Sequence, residues 1–183
     1  MTPTSAAAPE GIGLRAFNAL PDGHARELLL GCCHAGRWAD AVAAGRPYPT
    51  LGALLARAGE ELADGDVTEA LAGHPRIGAA PAAGHSSRSR REQAGVGGAP
   101  ATVLAELAAG NQAYEERFGH IYLVCASGRS AGELLGILKQ RLRNGPDEER
   151  HVMRGELRAI NELRLTSLIG PPGSEAPGPG PAA

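Results

Sequence analysis

The sequence predicts an all-α fold, a single-domain helical bundle with one buried extended segment. Two observations carry that expectation. Amphipathic stretches recur along the chain, each bracketed by capping residues and by glycine or proline. Only one run, Ile121-Tyr122-Leu123-Val124-Cys125-Ala126, is strongly β-like, and a single strand has no sheet partner. The length, 183 residues, suits one ordinary core with loose ends.

Residues 1–13 and 170–183 are expected to be disordered, because they are rich in Ala, Pro, Ser and Gly and offer almost nothing apolar against ordering entropy. The folded part is therefore 14–169. Asp22 can cap a helix through Leu28, Leu29 and Leu30, which Gly36 breaks, and Trp38 to Ala44 makes a short second helix. Thr50 caps a third, with Leu51, Leu54, Leu55, Ala58 and Leu62 at helical spacing. Asp66 with Glu69 resembles a capping box opening Val67 to Ala72, and that helix must stop near His74, because Pro75 disfavours helical backbone in the residue before it. Gly78 to Ser87 reads as a loop, followed by a helix start at Ser89 with Glu92 three residues on. A long helix spans Pro100 to Phe118, with Val103, Leu104, Leu107, Tyr114 and Phe118 on its apolar face, and Gly119 ends it. After the extended run, Ser130 and Glu133 form a capping box for a helix through Leu142. Gly145-Pro146 then opens a long final helix ending near Ile169.

Composition narrows the function classes. Net charge is -2 from 18 basic and 20 acidic residues, which gives no field to draw in a polyanion, so nucleic acid is disfavoured as a partner. No apolar run approaches a membrane span of about 20 residues, so no membrane partner is expected. Lys139 is the only lysine, leaving a single candidate for Schiff-base chemistry. The 3 cysteines, Cys32, Cys33 and Cys125, include no C-x-x-C pair, so neither a disulfide framework nor a cysteine zinc site is indicated. The beginning of the chain lacks a signal-peptide pattern and the last residues are not a peroxisomal address, so the expectation is a cytoplasmic protein. Neither a G-x-G-x-x-G nor a Walker loop is present to cradle a nucleotide cofactor, and the scattered histidines suggest no metal. A small molecule is the better partner.

Three features could carry chemistry. In His74-Pro75-Arg76-Ile77-Gly78 the histidine is fixed at a helix end by the following proline, where the helix dipole favours its protonated form, which suits a proton donor or shuttle. Equally, it could be a helix stop whose ring bonds a carbonyl. In Ser89-Arg90-Arg91-Glu92-Gln93 the Glu92 carboxylate could pair with His74 and fix its tautomer, while Gln93 offers a donor and an acceptor to amide-like edges. The same Ser-x-x-Glu spacing could do no more than close a helix start. Arg164 lies four residues after Ile160 and four before Leu168, so it interrupts an apolar stripe from within. A guanidinium placed inward needs an anion, either a carboxylate of the chain such as Glu156 or one carried by a ligand.

In combination these residues resemble the 2-oxo-4-hydroxy-4-carboxy-5-ureidoimidazoline (OHCU) decarboxylases of urate degradation. The landmarks run in order over about Phe17 to Ile169. They are Cys32-Cys33 with Trp38, Arg46-Pro47-Tyr48, Asp66 to Leu71 leading into the His74-Gly78 motif, Ser89 with Glu92-Gln93-Ala94-Gly95, Asn111 and Tyr114 before Phe118-Gly119, and Glu156 with Glu162-Leu163-Arg164-Leu165. His34-Ala35 stands where the family commonly has Gly-Ser, and Ala79 where it often has an acidic residue. The resemblance implies an all-helical homodimer and a cofactor-free decarboxylation of an anionic ureidoimidazoline to (S)-allantoin. It also implies His74 as general acid/base with Glu92 holding it. Pro75, Ser89, Gln93 and the backbone of Ile121, Tyr122, Leu123, Val124, Cys125 and Ala126 would shape the substrate site, and Arg164 would attract the substrate's charge. From other classes, a histidine phosphotransfer module would need an exposed mid-helix histidine, which His74 before a proline is not. A non-catalytic helical binding or regulatory module is the other alternative.

Overall fold

A computed structural model of the chain describes residues 11–72, 74, 76–78, 94–96 and 98–170. The described residues form eight α-helices and one short 3-10 turn. The helices are α1 (Leu14–Ala19), α2 (Asp22–Cys32), α3 (Gly36–Ala44), α4 (Leu51–Glu60), α5 (Asp64–Leu71), α6 (Ala101–Phe118), α7 (Ala131–Arg141) and α8 (Pro146–Ile169), with the turn at Ala94–Val96. Among them there is no strand, and residues 121–126 run buried between α6 and α7 with no ladder partner, so the fold is all-α. The helix start expected at Ser89 and the tails 1–10 and 171–183 lie outside the described residues. Among the described residues no helix is long and apolar enough to cross a membrane.

The chain divides into two compact units, Met1–Leu62 with Ile160–Ala183, and Ala63–Ala159. In the first unit α2 packs on α3 and α3 on α4. Trp38 fills its centre at 0% exposure, and its indole N–H, which would be costly to bury unbonded, donates to the Ala58 carbonyl at 2.7 Å. Arg46, with a side chain only 6% exposed, donates to the carbonyls of Ala43, Phe17 and Leu20 and meets Asp22 at 2.5 Å. Four partners on one planar fork tie the end of α3 to α1 and the start of α2. Asp22 is accordingly the first residue of α2 with Pro21 at the cap, and its carboxylate serves the helix dipole and Arg46. Gly36 does not simply break a helix; it begins α3. Thr50 caps α4 as expected, accepting the Ala53 N–H at 3.1 Å. At the chain's described start, Ile12 and Gly13 donate to the carbonyls of Leu168 and Ile169. Gly11 is needed there because a Cβ would fall 2.2 Å from the Gly170 nitrogen.

In the second unit α5 opens at Asp64, two residues before Asp66. Asp66 is the third helical residue and reaches back to accept the Ala63 N–H at 2.8 Å, so this capping bond runs upstream. α6 packs on α7 closely enough that a Cβ on Gly110 would meet Leu138 Cδ2 at 2.6 Å. Gly119 ends α6 at φ 77°, left-handed backbone that glycine adopts without a Cβ penalty. Both halves of the Ser130–Glu133 box are formed, and Ser130 holds the Glu133 carboxyl below the ordinary carboxylate range. Leu107, Tyr114, Tyr122, Val124, Leu134 and Leu138 make one buried cluster, so the non-helical run 121–126 is part of the core.

Candidate active site

His74 follows the end of α5, and its Nδ1 lies 2.8 Å from the carbonyl oxygen of Ala70. A carbonyl accepts only, so Nδ1 carries the proton in that bond and the nitrogen that can change protonation is Nε2. The last turn of α5, whose carbonyls have no helical partner beyond Leu71, thus orients the ring. Two residues on, Arg76 makes a two-point pair with Glu115 of α6, at 2.5 and 2.8 Å, and Asn111 donates to the Ile77 carbonyl at 2.8 Å. These bonds fasten the turn after His74 to α6. The Arg76 bond holds the Glu115 carboxyl below the usual range. A cavity of about 560 Å³ opens along this seam, lined by Arg76, Ile77, Gly78, Ala108, Asn111, Gln112, Glu115 and Glu116. Among the described residues, neither the 121–126 run nor Arg164 lines it.

The 121–126 run is anchored by charges at two points. Arg141 of α7 donates to the Leu123 carbonyl at 2.7 Å, and the Cys125 N–H donates to Glu156 of α8 at 2.8 Å. Ile121 O receives His120 Nδ1 at 3.2 Å and Ala126 O receives the Arg129 N–H at 3.1 Å. The protein itself thus occupies one backbone group on each of four residues of this run. The N–H and C=O of Val124, a residue 3% exposed, hold no hydrogen bond among the described residues.

Arg141 and Glu149 were not legible as site-building residues. Arg141 is 4% exposed and bonds Glu149, which is 1% exposed, through Nε at 2.8 Å and Nη2 at 2.5 Å. The Tyr114 hydroxyl donates to the same carboxylate, as does Asn144 at 2.8 Å, and the guanidinium lies 4.9 Å from the Tyr122 ring centroid. Burial works against the Arg141 charge, but the Glu149 bonds and the flanking tyrosines outweigh it and its pKa is raised. The available signal was the one that exposes Arg164: Leu134, Leu138 and Arg141 fall on one helical stripe.

Arg164 lies in the first unit, in α8, and is 7% exposed, inward as its spacing implies. Its Nη1 donates to the Cys32 carbonyl at 2.9 Å. Glu156, weighed as its counter-ion, instead faces Cys125 N–H and, at 3.5 Å, Arg129. Pro75, Ser89, Glu92 and Gln93 lie outside the described residues.

The family described as OHCU decarboxylase matches residues 18–166. The uric acid degradation bifunctional protein TTL of Arabidopsis thaliana is 33% identical over 146 residues, which is 75% of this chain and 45% of that protein. The 2-oxo-4-hydroxy-4-carboxy-5-ureidoimidazoline decarboxylase of Amia calva is 36% identical over 83 residues, 45% of this chain and 47% of that one. The chain thus spans about half the length of the curated relatives it matches. A crystal structure of OHCU decarboxylase in the presence of (S)-allantoin superposes with a TM-score of 0.67 at 30% identity, over 82% of this chain and 99% of that one. A crystal structure of (S)-allantoin synthase, at 18% identity and a TM-score of 0.67 over 86% of this chain and 54% of that one, shares the fold. On the family match and the shared fold together, the chain belongs to the OHCU decarboxylase family.

Proposed function

We propose that the chain decarboxylates OHCU to (S)-allantoin in urate degradation. The observation that supports this reading is the His74 ring, held through Nδ1 on the Ala70 carbonyl, which makes Nε2 the ring nitrogen at which a proton can be exchanged. Breaking the bond to the carboxylate releases CO2 and leaves an electron pair on the ring carbon. The adjacent ring and ureido system can delocalise that pair, so a separate electron sink is not obligatory. The protein must place charge and deliver a proton to one face. His74 assists at the substrate hydroxyl or returns the proton to carbon, an effect worth about 100- to 10,000-fold. Glu92 holds and tunes the imidazole, Pro75, Ser89 and Gln93 shape the pocket, Arg164 attracts the substrate anion, and the 121–126 backbone meets its amide edges. The domain is residues 14–169, active as a cytoplasmic homodimer.

Urate supplied with urate oxidase and the hydrolase that follows it tests this. Adding the protein is expected to yield optically active allantoin rapidly, followed by circular dichroism. Racemic allantoin formed at the rate seen without the protein overturns the reading and leaves the non-catalytic binding module as the alternative.

A further inference from the structure

Two charged side chains grip the peptide units on either side of Val124. The unit joining Leu123 to Val124 is held at its carbonyl by the Arg141 guanidinium, at 2.7 Å. The unit joining Val124 to Cys125 is held at its N–H by the Glu156 carboxylate, at 2.8 Å. Each peptide unit is planar, with its N–H and C=O pointing in opposite directions, so fixing one end aims the other. The ends so aimed are the N–H and the C=O of Val124, the two groups that hold no hydrogen bond among the described residues. In an extended run the N–H and C=O of one residue point to the same side, as they do when a strand residue exchanges both bonds with a partner. Val124 therefore offers a donor and an acceptor together, on the side away from both grips.

The grips also polarise what they aim. A cation on a peptide carbonyl makes the N–H of that unit a stronger donor, and an anion on a peptide N–H makes the carbonyl of that unit a stronger acceptor, through cooperativity along the chain of bonds. Here the cation grips the unit whose N–H is presented, and the anion grips the unit whose C=O is presented. Both signs act in the useful direction. Glu149 keeps Arg141 in place, and Arg129 lies 3.5 Å from Glu156, so each charge is itself held.

We propose that Arg141 and Glu156 are positioning residues for the decarboxylation. They aim and polarise the Val124 peptide groups toward a cyclic amide or urea edge, which carries the complementary carbonyl and N–H side by side. The proposal rests on the decarboxylase reading above. Its class of ligand is a planar ureide, and the charge the ligand carries elsewhere is not read at this point.

The test uses the full chain. Glu156 has a side chain 17% exposed against 4% for Arg141, so its replacement disturbs packing less than one at Arg141. Glu156→Ala is expected to raise KM roughly tenfold with kcat within about twofold, since a contact made equally to substrate and transition state changes KM alone. Glu156→Gln, which keeps an acceptor for the Cys125 N–H without the charge, is expected to recover part of that loss. Arg141→Lys, which keeps the charge and loses the fork, is expected to raise KM as well. In the wild-type chain the Val124 amide resonance should move on addition of (S)-allantoin, and in Glu156→Ala the movement should shrink. A wild-type enzyme that is active while Glu156→Ala retains its KM, or whose Val124 amide is unmoved at saturating (S)-allantoin, overturns the positioning role and leaves the decarboxylase reading intact. A wild-type chain that neither turns over OHCU nor binds (S)-allantoin overturns both.

Discussion

Arg141 and Glu149 meet at 2.5 Å with their side chains 4% and 1% exposed, across the tight connection from α7 to α8. Two ions so far from solvent persist only because their remaining valences are filled: Leu123 O and the Tyr114 oxygen on the guanidinium, Tyr114 and Asn144 on the carboxylate.

Removing one partner should therefore cost much more than removing both. Glu149→Leu alone strands a buried guanidinium, and a loss of about 3 to 5 kcal/mol of folding stability is expected. Arg141→Met combined with Glu149→Leu replaces the pair with apolar volume and should lose far less. Denaturant melts of the two single variants and the double variant measure the coupling; simple additivity of the single losses would show that the pair acts as two independent residues.

All three tyrosines, Tyr48, Tyr114 and Tyr122, have their ionisation pushed upward from 10.0, chiefly by burial, with the Glu149 bond adding to the effect at Tyr114. A raised folded pKa means that the protonated form is favoured in the native state. The stability this contributes is fully present below pH 10.0, the unfolded value, and is lost as pH rises further. Tyrosinate absorbance should stay near zero through pH 10 and then appear in one phase coincident with loss of helical circular dichroism. A tyrosine titrating near pH 10 in a chain still fully helical would show that its hydroxyl is not buried.

His74→Asn and His74→Ala separate the structural and chemical parts of one ring. An asparagine amide can still donate to the Ala70 carbonyl from about the position of Nδ1, but has nothing in place of Nε2. We expect both variants to lose about 100- to 10,000-fold in kcat, with His74→Asn melting close to wild type and His74→Ala lower. Near-normal turnover in folded His74→Asn would remove the imidazole from the mechanism.

The helix plan was legible where a local device fixes it. Thr50 and the Ser130–Glu133 box bond as their spacing implies, because a cap and its partners lie within one turn of chain. The burial of Arg164 followed from its place on a stripe. Long-range satisfaction was not legible. Nothing near Arg46 in sequence announces the carbonyls of Phe17 and Leu20, nor does anything near Leu123 announce Arg141. Such bonds depend on which loops the fold brings together, and carbonyl acceptors leave no mark on residue identity. Asp66 shows the same limit at short range: its residue type signals a cap, but only the backbone decides whether it turns upstream to Ala63 or downstream.

Arg164 presents the sharpest separation of binding from fold. Its Nη1 bond to the Cys32 carbonyl is a packing role, so any replacement lowers stability somewhat, and activity alone would not tell the two roles apart. The proposed reaction supplies the discriminating pair of ligands, because OHCU carries a carboxylate that (S)-allantoin has lost. If the guanidinium attracts that carboxylate, Arg164→Met should raise KM for OHCU by about tenfold or more while the inhibition constant of (S)-allantoin changes far less, and Arg164→Lys should fall between, a point charge lacking the two-point fork. Raising salt should weaken OHCU binding in the wild type and have little effect in Arg164→Met. Equal losses for both ligands would mean that Arg164 acts on the shape of the site and not on the substrate's charge.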